Sequence, residues 1–347
     1  MRGSQVREGL SPAVYLLLTT MTAGIFLMCL CIGSVNVPIS ETVTLLFEKA
    51  TGAAVTASAR TQSIILSVRL PRIICVAITG AALSLCGAAM QGLLKNPLAD
   101  GSTLGVSSGA SLGAVLAIAL DINFPNLPLA GTAVCAIIAA LVSLVLILSL
   151  AWSMDHSLAT NTIILIGTIF SMLMSSCISL ILTMASDKDV KTITFWTMGS
   201  LSGSSMQQAA LLTFTFVICG AVILLHSREL NAMSIGEDNA RSVGVDVSRV
   251  RIIILITVAA LIGVCVSVGG TIGFVGLVVP HMVRIITGPN HLKLLPASLF
   301  SGAMFLMIAD LAARILLSPL ELPIGVVTSF VGAMLFMVIF YRMRKGV

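Results

Sequence analysis

The chain has 347 residues, of which 57% are hydrophobic and only 10% charged, with a net charge of +5. A soluble domain carries about 25% charged residues, so this chain has too little polar surface to cover a water-soluble globule. The bilayer is its solvent, and no nucleic-acid partner is expected. The apolar runs are close to the roughly 20 residues that a helix needs to cross a membrane, and they do not alternate in the ten-residue pattern of a barrel. The predicted fold is therefore an all-α integral membrane protein, a single membrane-spanning domain over 1–347, with ten spans.

The first span, 12–32, follows a short tail (1–11) carrying Arg2 and Arg7. A signal peptide has an apolar core of about 7–15 residues and a small-residue cleavage site. This run is longer and ends Cys-Leu-Cys-Ile-Gly, which favours a retained helix. Residues 33–68 read as a longer connection outside the membrane, to which no role is assigned. Arg69 and Arg72 then straddle Pro71 at the mouth of the second span, 72–94. Arginine is costly at mid-bilayer, so both are expected at the interface, either snorkelling or recognising carboxylates on a partner.

A polar break, Lys95-Asn96-Pro97-Leu98-Ala99-Asp100, leads into the third span, 101–120. Gly101, Gly105, Gly109 and Gly113 recur every fourth residue there. Such a ladder lies on one helix face and lets another backbone approach closely. It contains a formal G-x-S-x-G around Ser107, but the strand–turn–helix context of a nucleophile is missing. Ser107 is therefore read as incidental, and the chain as not an enzyme. The fourth and fifth spans are 128–150 and 160–184. After them, residues 191–208 carry Phe195, Trp196 and Met198 and read as a short interfacial helix.

The sixth span, 207–227, ends in a charged segment, His226 to Arg251. Two short helices with a turn at Gly236 fit it, Ser234 and Glu237 having the spacing of a capping box. Such a knob suits docking to a soluble partner, and an ordinary solvated loop is the plain alternative. The seventh and eighth spans, 250–269 and 272–288, are joined through Gly269–Gly276, a flexible connection. The ninth, 294–317, places Asp310 and Arg314 four residues apart on one face, as an internal pair or as an ion site. Pro323 opens the tenth, 323–341.

With both termini inside, twelve Lys and Arg fall on the inner side and seven on the outer, which favours cytoplasmic termini by the positive-inside rule. The eight cysteines are scattered without a C-x-x-C pair and the four histidines have no ligand spacing, so no metal site is expected. No G-x-x-x-x-G-K-[ST] occurs. If ATP drives this protein, another polypeptide binds it, and this chain needs no cofactor.

Taken in order, R-L-P-R at 69–72, K-N-P-L-A-D at 95–100, G-V-S-S-G-A at 105–110, G-E-D-N-A-R-S-V-G-V at 236–245, G-F-V-G-L-V-V-P-H-M-V-R at 273–284 and E-L-P-I-G-V at 321–326 resemble the FecCD family of permeases. These are membrane subunits of type II ABC importers for iron-siderophores, haem and vitamin B12. The resemblance implies a multi-pass protein of a bacterial or archaeal cell (inner) membrane, working by alternating access. It implies a second permease subunit, two cytoplasmic ATPases and an extracytoplasmic substrate-binding protein. By motif, Arg69, Arg72 and Arg314 match arginines that meet glutamates on the binding protein. Asn96 and Leu98 match the cytoplasmic gate, and Gly236, Glu237, Ala240, Arg241 and Gly244 match the core of the coupling helices (loop 228–250). An iron-siderophore is the expected cargo, with vitamin B12 or haem as the alternative and ion coupling through Asp310 as a distant one. A methionine- and glycine-rich pathway wall would suit such a bulky ligand.

Overall fold

The computed structural model describes residues 9–33, 35, 37–52, 57–101, 104–122, 130–154 and 160–345. Fifteen helices follow in chain order: α1 (Pro12–Cys31), α2 (Ile39–Thr51), α3 (Ala59–Gln62), α4 (Leu70–Leu93), α5 (Val106–Ala119), α6 (Ala130–Met154), α7 (Thr160–Met184), α8 (Asp187–Thr197), α9 (Met206–Leu225), α10 (Ser227–Ile235), α11 (Glu237–Ser242), α12 (Val247–Gly269), α13 (Val275–Thr287), α14 (His291–Ile315) and α15 (Ile324–Lys345). Each of the ten expected spans has its helix. Seven are long and apolar enough to cross a bilayer, and α5, α13 and the apolar part of α15 are shorter.

Local chemistry sets the helix starts. Ser11 caps α1 ahead of Pro12, Ser186 caps α8, Asp246 caps α12 and Asn290 caps α14. Each side-chain oxygen accepts from a backbone N–H that has no partner within the helix. The capping box is formed by Ser205 and Gln208 at the start of α9. The one expected at Ser234 and Glu237 does not form, because Ser234 is still inside α10 and its hydroxyl donates to the Asn231 carbonyl at 2.8 Å.

The connection 33–68 is more ordered than its composition suggests. α2 folds back on the chain and buries Leu45 with Val37 and Ile65. From Ala59 to Leu93 the chain is one continuous helix of 35 residues, with a π-helical stretch at Ser63–Arg69. α8 begins four residues before the expected interfacial segment. Phe195 is exposed there, but Trp196 packs against the core rather than lying free at headgroup level.

α4 is the axis of the molecule, with 78% of its apolar window buried, whereas α1, α6, α7 and α9 bury 17–28% and turn outward. α4 meets α14 where Gly80 faces Gly302, and meets the start of α13 where Gly87 faces Gly276. A Cβ at any of Gly80, Gly87 or Gly302 would overlap backbone atoms opposite.

α5 and α13 have 14 and 13 residues, or about 20 Å at 1.5 Å per residue, short of the ~30 Å hydrocarbon core. Each is preceded by non-helical backbone, at 94–101 with 104–105 and at 270–274. Non-helical backbone at membrane depth survives only when buried in protein or facing a wet cavity. Both conditions are met here, since Gly101 packs on Ile262 of α12 and both stretches line the same cavity.

Candidate functional site

That cavity, of about 410 Å³, lies between α4, α5, α7, α12 and the two non-helical stretches. Its wall carries Thr79, Ser107, Ser111, Ser175, Ser179 and Thr271, with glycines 101, 273 and 276. The Ser111 hydroxyl donates to the Ser107 carbonyl at 2.8 Å, and Ser179 to Ser175 at 3.0 Å. Ser111 and Ser179 thus spend their protons on their own helices and keep their lone pairs free, while Thr271 donates to the Thr197 carbonyl. Between the hydroxyls the wall is aliphatic, with Leu83, Ile178, Ile262, Val266 and Ile272, and Asp100 is the acid on it.

This corrects two expectations. Among the described residues no methionine is on the lining, which carries hydroxyl, glycine and aliphatic residues instead. Ser107 is also part of that wall rather than incidental. The glycine ladder divides as well. Gly101 lies in the turn before α5, and Gly105 is the N-cap residue with φ +74°, a conformation that favours glycine. Only Gly109 and Gly113 share the helix, and both press on α6, at Ser143 and at Cys135–Ala139.

At the end of the bundle where α4 begins, the three arginines are buried in the fold around a small pocket of about 130 Å³. Arg69, Arg72 and Arg314 are 5%, 7% and 3% exposed. Arg72 binds Asp310 at 3.0 Å and Glu321 at 2.8 Å, and Arg314 binds Asp310 at 3.0 Å. Arg69 donates to the carbonyls of Leu30 (2.7 Å), Cys31 (2.9 Å) and Val35, while Arg314 reaches those of Cys29 and Ile32. The three guanidiniums therefore rivet the end of α1 to α4 and α14. Charge expected to face outward is consumed internally. Asp310 is 1% exposed and both of its oxygens are engaged by arginine. No oxygen is left over to hold a transported ion.

At the opposite end, α4 stops at a turn. Lys95 has φ +49°, the Asn96 side chain accepts from Leu98 N at 2.9 Å, and Ala99 is buried. Asn96 shapes the turn while Leu98, 48% exposed, projects from it. Nearby, α10 and α11 form the expected two-helix knob around Gly236. Ala240 is fully buried, and Gly244 ends α11 with φ +87°. Glu237 forms an ion pair with Arg251 of α12, whose side chain is 1% exposed, and lies 4.0 Å from Arg241. Glu237 is thus a clamp between knob and bundle.

Two residues on the knob were not anticipated. Ile235 and Val243 are 76% and 73% exposed, apolar tips beside the charged Asp238 and Arg241. The sequence did contain the signal, since both precede the glycines that end their helices, in an otherwise polar segment.

The FecCD transport family matches residues 20–342 of the chain. An uncharacterized ABC transporter permease protein of Bacillus subtilis, YvrB, is 38% identical over 335 residues, covering 96% of this chain and 95% of that protein. The cobalamin import system permease protein BtuC of Halobacterium salinarum is 38% identical over 276 residues, 80% of this chain and 73% of that one. An inward-facing structure assigned to the metal-chelate type of ABC transporter superposes with a TM-score of 0.83 at 30% identity, over 96% of this chain and 100% of that chain. With its ten spans, the helical knob and a match running almost from end to end, the chain belongs to the FecCD transport family.

Proposed function

We propose that this multi-pass permease is one of two membrane subunits of an ATP-driven importer, and that it passes an iron-siderophore or a similar metal chelate. The observation that carries this is the hydroxyl-lined cavity built where two short spans break. Its free lone pairs and lack of basic side chains suit a bulky polar ligand that must pass without being held. α7 supports the pairing of two subunits. It exposes Thr168, Ser175, Ser176, Ser179 and Thr183 beside Leu165 and Met172, a mixed polar and apolar face suited to a subunit contact beside the pathway.

The knob end is placed in the cytoplasm with both termini, in keeping with the excess of Lys and Arg on that side. ATPase subunits dock on the knob and move it, and the turn bearing Asn96 and Leu98 opens or closes. The binding protein docks at the arginine-rich end, where Arg69, Arg72 and Arg314 act by holding the rim in shape. Cobalamin is the second reading for the cargo, favoured by the Halobacterium relative.

Uptake into proteoliposomes by this permease, assembled with its cognate ATPase and binding protein, tests the reading. Ferric ferrichrome should be taken up in an ATP-dependent manner in preference to cyanocobalamin or haem. Preference for cyanocobalamin would select the second reading, and uptake of none of the three would defeat both.

The knob offers a sharper test of ATPase docking. Ile235→Asp and Val243→Asp change exposed positions, where substitutions alter stability by about 0.5 kcal/mol or less. Each should leave the permease folded while lowering its co-purification with the ATPase at least about tenfold, the equivalent of ~1.4 kcal/mol. Undiminished co-purification would remove these two residues from the docking surface.

A further inference from the structure

The knob and the turn after α4 are separate in sequence, yet α10 packs against α4 and α14, and a buried polar contact lies in that packing. Asn231 of α10 accepts at Oδ1 from the His291 backbone N–H (2.7 Å) and from its ring Nδ1 (2.9 Å), and donates through Nδ2 to Asn290 (2.9 Å). Asn290 is the residue that caps α14, its Oδ1 accepting from Leu292 N at 3.0 Å. Because Asn231 Oδ1 accepts, Nδ1 is the protonated ring nitrogen, and Nε2 is left as a bare acceptor.

His291 is completely buried and Nε2 has no hydrogen-bond partner. It is aimed at Gly92, so closely that a Cβ there would overlap the ring. Gly92 lies in the last turn of α4, three residues before Lys95. The neighbouring Gln91 is fixed from the other side. Its amide donates to the Leu277 carbonyl at 3.1 Å, and its oxygen accepts from Arg284 at 3.1 Å.

A buried acceptor without a donor costs about 1–3 kcal/mol, and packing alone could be satisfied by an apolar ring. The polar half of the imidazole is needed on the Asn231 side, where one oxygen, Asn231 Oδ1, accepts from both the ring and the backbone N–H of His291. On the other side the ring simply abuts backbone. We infer that the His291 ring is the strut by which motion of the knob reaches the turn of Asn96 and Leu98, with Asn231 and Gly92 as its two seats. Packed interiors transmit small displacements because they hold few voids. A shift of α10 carries Asn231, Asn231 carries the ring, and the ring bears on the last turn of α4. His291, Asn231 and Gly92 are positioning residues for gating, and this inference rests on the importer reading above.

The test uses the assembled transporter in proteoliposomes, with whichever of ferric ferrichrome, cyanocobalamin and haem it takes up as the probe. Uptake and ATP hydrolysis are read together. Asn231→Ala and His291→Ala should keep ATPase association and hydrolysis within about twofold, while the probe moved per ATP falls at least about tenfold. Gly92→Ala introduced into His291→Ala puts a methyl group into the vacated space and should recover part of that ratio. A residue that matters only for folding would lower uptake and hydrolysis in parallel and show no such recovery, and that result overturns the strut. An unchanged ratio in both single variants overturns it equally. If His291→Ala does not fold, Asn231→Ser carries the same expectation, since its shorter side chain cannot reach both His291 and Asn290. Wild-type vesicles that show no ATP-dependent uptake would instead sink the importer reading itself.

Discussion

Asp310→Asn should yield little or no folded permease. The carboxylate lies between Arg72 and Arg314 at 3.0 Å from each, in a site where all three groups are nearly inaccessible. Neutralising it leaves Arg72 with Glu321 alone and Arg314 with only backbone carbonyls, in a cluster that already holds three arginines against two acids. Removing one partner of a buried ion pair costs about 3–5 kcal/mol, whereas replacing the whole group with apolar residues of similar size is often neutral or stabilising. The triple variant Arg72→Met, Asp310→Leu, Arg314→Met should accordingly recover monodisperse protein that Asp310→Asn loses. Melting of the detergent-solubilised protein measures the difference. A normal melting temperature for Asp310→Asn would show that the cluster does not hold this end together. The triple variant also separates structure from docking. If it folds and still binds the binding protein, the arginines serve the rim only through its shape.

The burial of those arginines was beyond the reach of sequence reasoning, and the cause is physical. The Arg69–Pro71–Arg72 spacing placed two cations at the mouth of a span, and the cost of charge in lipid argued for an interface. What it could not show is that Asp310 arrives from 238 residues away to meet Arg72, or that the C-terminal end of α1 supplies carbonyls to Arg69. The Asp310–Arg314 pair was legible because it is local, one helical turn apart. The same contrast runs through the glycines. A repeat of four pointed to 101–113, but equally close helix contacts are made by Gly80 and Gly87, which lie outside that repeat because their partners are on two different helices. The ten spans were readable from hydropathy, and the knob from its charge. The breaks before α5 and α13 were visible only as glycine-rich polar joints. Their function as cavity walls appears once Ser107, Ser175 and Thr271, from three separate segments, come together.

Gly87→Ala should uncouple the cavity wall from the axis of the bundle. A Cβ on Gly87 would overlap the carbonyl of Gly276, and backbone cannot rotate away as a side chain can. The start of α13 must therefore retreat from α4, and Gly276 is itself part of the cavity lining. Overpacking a tight core costs about 1–3 kcal/mol, which exceeds the ~1 kcal/mol that alanine gains over glycine inside a helix. The net expectation is a lower melting temperature together with a loss of uptake of at least about tenfold. Gly220→Ala is the control. It is the same substitution in α9, where the nearest atom to the added carbon is Leu85 Cδ2 at 3.5 Å, an ordinary van der Waals contact. It should gain the helix-propensity term and transport normally. Equal behaviour of the two variants in melting and uptake would mean that α4 and α13 are not held at backbone contact during transport, and that the cavity does not depend on their closeness.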